Sequence, residues 1–196
     1  MRVAIALVLS AAYGAGTQFL GARVPGWGPD VAQLSAPWLV IAFLAGATQK
    51  TPRRAALLGI GATAAALTGY WLMTDSPIEG AQYTLANAHG FLVSNAFVVV
   101  GGLATGPLFG WFGQQWRTRR ALLGALVTAA ALCLEPLARH VPVGVVHAFG
   151  NGYAVANPIG SRAVVAAEVA VGLLLAAFVL ARRAQQMRES RPVSTS

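Results

Sequence analysis

The sequence has one cysteine, one lysine and only six acidic residues. A lone cysteine, Cys133, rules out a disulfide framework and a cysteine-built metal site, which leaves core packing as its role. Charged residues make up 10% of the chain against 56% hydrophobic, too few to solvate the surface of a water-soluble domain of 196 residues. Catalytic signatures are missing as well: there is no GxSxG nucleophile elbow, no HExxH, no phosphate loop and no cysteine paired with a histidine by motif. His89, His140 and His147 show no zinc-type spacing. The expectation is a chain that is not an enzyme, with no metal and no cofactor.

What the sequence does hold is apolar and helical, with a mean hydropathy of +0.61. Six windows approach the roughly 20 apolar residues that a helix needs to cross about 30 Å of hydrocarbon. They run from Val3 to Leu20, Val31 to Thr48, Ala55 to Thr74, Phe91 to Phe112, Ala121 to Leu137 and Ala163 to Ala181. The expected fold is therefore all-α, a polytopic membrane bundle of six transmembrane helices over residues 1–182 with a flexible cytoplasmic tail at 183–196. The start, MRVAIALVLSAAYGAG, imitates a signal peptide, but its apolar character runs on to Leu20, so it reads as an anchor that stays.

A formal charge of +8 could suggest nucleic acid, but placement argues otherwise. Arg2, Lys50, Arg53, Arg54, Arg117, Arg119, Arg120, Arg182, Arg183, Arg188 and Arg191 all fall on one side if six spans alternate, against Arg23, Arg139 and Arg162 on the other. The excess of positive charge on cytoplasmic loops then puts both termini on the cytoplasmic side of the cell membrane. The lipid bilayer is the expected partner; a membrane protein, a second copy or a small molecule are further candidates, and nucleic acid is not.

The fourth window is the most unusual. Gly102, Gly106 and Gly110 recur every four residues around Pro107, giving a face on which another helix can approach closely and a helix expected to kink. RRAALLGIGATAAAL from Arg53 and RRALLGALVTAAAL from Arg119 match at most positions if one residue is skipped, through either a duplicated hairpin or chance in an alanine-rich and leucine-rich chain. NAHG, from Asn87 to Gly90, reads as loop punctuation. The apolar piece from Val141 to Phe149 is too short to span.

Two acids lie inside windows. Glu135 can pair with Arg139 one turn on. Glu168 has no such partner on its own helix and must meet another helix, face water or carry a proton. With Trp38, Tyr70, Trp71, Asn95 and His147, these two acids outline a candidate outward-facing ligand pocket. The same polar residues also fit an interface belt that binds nothing.

SAPWLVIAFLAGA, RRAALLGIGATAAALTGYWL and GLATGPLFGWFGQQWRTRRALLGAL, followed by Glu135, resemble a small bacterial family of six-span membrane proteins known as domain of unknown function 6518. The resemblance implies an integral membrane protein and carries no activity. Six short spans with small residues on the first are more loosely similar to substrate-binding subunits of vitamin-uptake transporters. Two functions remain open: a transport or small-molecule-binding module, or a structural protein that docks on a partner through the glycine face of the fourth helix.

Overall fold

The computed structural model describes residues 2–119, 122–139 and 159–189. Among them it is all-helical: α1 (Arg2–Arg23), α2 (Gly28–Ala32), α3 (Ala36–Ala47), α4 (Pro52–Thr74), a 3-10 turn at Pro77–Glu79, α5 (Leu85–Ser94), α6 (Ala96–Arg119), α7 (Leu122–Ala138) and α8 (Arg162–Glu189). Helices α1, α4 and α8 are long and apolar enough to cross a membrane, and α5 with α6 makes a fourth if the bent pair is one span. At about 1.5 Å per residue, α3 covers about 18 Å and α7 about 25 Å.

Two of the expected spans are broken. The apolar run from Val31 to Thr48 divides at Gln33–Ser35 into α2 and α3. The run from Phe91 bends by 71° between α5 and α6, at Asn95, while α6 passes through Pro107 as one helix. At the end of α5, Asn95 donates both its backbone amide and its side-chain amide to the Phe91 carbonyl, each at 2.9 Å, a local side-chain bond that asparagine offers readily. The 71° bend lies at Asn95, and NAHG is not a loop, since Asn87 to Gly90 lie within α5 behind the cap that Thr84 provides to the Asn87 amide. The expected tail from residue 183 is helical as far as Glu189.

Packing reverses the pattern of a water-soluble core. Nine of the seventeen buried apolar residues among those described are alanine, while Val8, Leu9, Leu57, Leu123, Leu173 and Leu174 stand exposed. Small residues inside and large ones outside suit helices whose outer surface meets lipid. One close seam joins α3, α4 and α6. A methyl group at Gly59 would collide with the Gly106 carbonyl, one at Gly110 with Ala55, one at Gly46 with Gly110 and one at Gly113 with Phe43. A second seam sets Gly14 and Ala11 of α1 against Ala66 and Gly69 of α4. The two matching segments share one detail: Thr63 bonds back to the Gly59 carbonyl at 3.1 Å and Thr128 to that of Gly124 at 2.8 Å, both buried.

Charge sorts to the two ends of the bundle. Gln114 donates to the Lys50 carbonyl and Arg117 to that of Ala47, which joins the end of α6 to the turn carrying Arg53 and Arg54. The Phe178 ring, under the Arg182 guanidinium, packs on Trp116 at the same end. The opposite end holds Asp30, Asp75, Glu79, Glu135 and Glu168.

Candidate functional site

At the acidic end, the break between α2 and α3 is closed by side chains from α7. A helix begins with amide groups that have no partner within it, and Ser35, at the N-cap of α3, makes no side-chain cap. Glu135 fills that role from outside. Its carboxylate accepts from the Ser35 amide at 2.6 Å and the Ala36 amide at 2.5 Å, at the end of α3 where the helix dipole favours negative charge. Arg139, one turn further along, donates to the same carboxylate through Nε at 2.9 Å and Nη2 at 2.6 Å. Its Nη2 also reaches the Gln33 carbonyl, left over from α2, and Ser35 Oγ at 3.3 Å. One ion pair therefore satisfies both sides of the break, with charge-assisted bonds stronger than neutral ones.

A second acid holds another helix entry. Asp30 of α2 accepts from the Gly160 amide at 3.1 Å and the Ser161 amide at 2.7 Å, just before α8, and the Ser161 hydroxyl in turn accepts from the Val164 amide at 3.4 Å. Val31 and Leu34 pack there against Ile159, Val164 and Val165. The pieces on either side of the break are thus tied to α7 and α8.

Glu168 is different. It projects from α8 beside Glu135, it is only 5% exposed, and both its carboxyl oxygens are buried without a hydrogen-bond partner among the described residues. The Tyr13 side chain lies within electrostatic reach of both acids. From Tyr13 a run of rings crosses the bundle: Tyr13 to Trp38 at 5.8 Å between centroids and edge-on, Trp38 to Tyr70 at 6.2 Å, Tyr70 to Phe91 at 6.1 Å. Such spacings are those of favourable aromatic pairs.

Of the residues that the sequence nominates, Trp38, Tyr70, Glu135 and Glu168 thus belong to one connected region. Trp71 does not: its indole donates to Asp75 at 2.6 Å and its ring meets Tyr83. Asn95 is committed to the α5 bend. His147, like His140, lies outside the described residues. The described residues include no group of three histidine, cysteine or acidic side chains fit to hold a metal ion. Cys133 packs against Gly172 and Val169 of α8. Gly102, Gly106 and Gly110 meet Thr63, Gly59 and Ala55 of α4, so the glycine face packs within the chain. The sequence reading misses Tyr13 and Asp30. Tyr13 adjoins the small-residue stripe of Ser10 and Gly14, and Asp30 follows a turn-forming proline; each gains its role only from helices distant in sequence.

A family model described as a family of unknown function, DUF6518, matches residues 1–191. The chain belongs to this family. No curated protein and no solved structure matches it. The DUF6518 match takes in every helix described above, including the Glu135–Arg139 clamp and Glu168, and assigns none of them a role.

Proposed function

We propose that the chain is a multi-pass protein of the bacterial cytoplasmic membrane that binds a small solute at its acidic end as a transport or solute-binding module, not an enzyme. In this reading α2–α3 and α5–α6 each count as one interrupted crossing, which with α1, α4, α7 and α8 makes six. The basic end, with Lys50, Arg53, Arg54, Arg117 and Arg182, faces the cytoplasm, and the acidic end faces out. Interrupted helices whose freed backbone groups are met by side chains from neighbouring helices are a recurring way to place a solute site at membrane depth.

The observation that carries the reading is Glu168. Glu135 and Asp30 have structural duties that account for their charge, whereas a buried carboxyl with no partner is costly for folding alone and calls for an occupant. Thermal-shift screening of the purified protein against amines and vitamins, run in parallel on Glu168→Gln, tests it: a stabilising solute whose effect disappears in the variant supports the reading, and equal responses reject it. Orientation is tested separately. A reporter fused after Ser196 is expected to be active only in the cytoplasm, and a cysteine at Gln82 to label from outside; periplasmic activity of the fusion rejects the six-span arrangement.

A further inference from the structure

We infer that the occupant of the Glu168 site is a small primary ammonium ion, with its nitrogen on the Glu168 carboxylate and its carbon chain toward the rings that begin at Tyr13. This rests on the solute-binding reading above and names the chemistry of the solute. The argument is one of unmet partners. Glu135, whose carboxyl lies against that of Glu168, already receives two backbone amides and two guanidinium bonds. Arg139 is bound to Glu135, Gln33 and Ser35. The ion pair cancels, and Glu168, when ionised, adds one negative charge on two oxygens that accept no hydrogen bond among the described residues. A single positive charge bearing N–H donors completes the region.

A hard metal cation needs about six oxygen ligands, and the described residues hold no cluster of that kind. An ammonium nitrogen needs far fewer. Two of its donors match the two carboxylate oxygens, and its adjoining methylene groups suit the nearby rings of Tyr13 and Trp38 through apolar contact and cation–π attraction.

The test is calorimetric titration of the detergent-purified full chain with n-butylammonium, and with butyramide as the uncharged counterpart. The wild type is expected to bind butylammonium saturably and butyramide not at all. Glu168→Gln is expected to weaken butylammonium binding by about ten-fold or more, since a charge-assisted bond is lost. Glu168→Asp, which keeps the charge and shortens the reach, is expected to retain weaker saturable binding and serves if Glu168→Gln does not fold. Trp38→Leu, away from the carboxyl, is expected to cost several-fold in affinity. If butyramide binds in a Glu168-dependent way and butylammonium does not, the ammonium assignment is overturned while the site stands. If butylammonium binds wild type and Glu168→Gln alike, both fall. If neither probe binds and the wild type but not Glu168→Gln changes its melting temperature with pH alone, the occupant is a proton and the ammonium assignment is overturned.

Discussion

The α3–α4–α6 seam and the acidic end solve the same problem by opposite means. In the seam, backbones approach because side chains are missing: glycine at positions 46, 59, 106, 110 and 113 lets three helices touch with scarcely a polar group involved. At the acidic end the backbone is interrupted, and charged side chains from α2 and α7 supply the hydrogen bonds that the interruptions leave unmet. Closeness needs no chemistry, so the seam is legible as spacing in one stretch of sequence. An interruption needs a partner, and partners come from anywhere in the chain. The comparison also isolates Glu168, which neither fills a gap nor caps a helix.

The largest expected effect is at the clamp. Glu135→Ala leaves the Ser35 and Ala36 amides without their acceptor and the buried Arg139 guanidinium without its counter-charge. Breaking a buried pair from one side typically costs about 3 to 5 kcal/mol. The melting temperature in detergent should fall further than for any single change in the seam; a drop smaller than that of the glycine variant below would mean that the α2–α3 break holds itself open.

Next in size is the seam itself. Gly59→Ala puts a methyl group into the Gly106 carbonyl, where backbone must move, and overpacking of this kind costs about 1 to 3 kcal/mol. Gly101→Ala is the control on the same seam helix. Nothing lies within 4 Å of the added carbon, so the better helix propensity of alanine should leave stability equal or raise it by up to about 1 kcal/mol. Equal losses at both positions would show that the approach of α4 and α6 is not tight.

These expectations also mark what the sequence can disclose. The Glu135–Arg139 pair follows from a spacing of four on one helix, and the sorting of charge to two ends follows from counting. The break at Gln33–Ser35 does not, because a hydropathy window from Val31 to Thr48 averages over three residues. Pro29 and Pro37 on either side are the only local hint, since each opens a helix. Proline is the more conspicuous breaker in this stretch, yet the 71° bend lies at Asn95. Pro107 stays within α6 as one helix, whereas at Asn95 the side-chain amide joins the backbone amide on the Phe91 carbonyl at the place where α5 turns away. Tyr13, Asp30 and the company of Glu168 depend on which helices are neighbours, and no periodicity encodes that.

The smallest expected effect has the opposite sign. Glu168→Met replaces the carboxyl with an unbranched apolar side chain of similar size in a buried position between helices. If Glu168 were a structural pin like Glu135, the change would break hydrogen bonds and lower the melting temperature. It accepts none among the described residues, and its carboxyl lies beside that of Glu135 and within reach of Arg139, which is already bound to Glu135. Removing it takes away an unmet desolvation penalty and a like-charge contact, so stability should rise by about 1 kcal/mol, in the range attached to one unsatisfied buried polar group. The same variant should lose all response to the solute. A more stable protein that binds nothing is what a site held open at the expense of stability requires. A destabilised Glu168→Met protein would instead place Glu168 with Glu135 and Asp30, among the acids that hold the helices together.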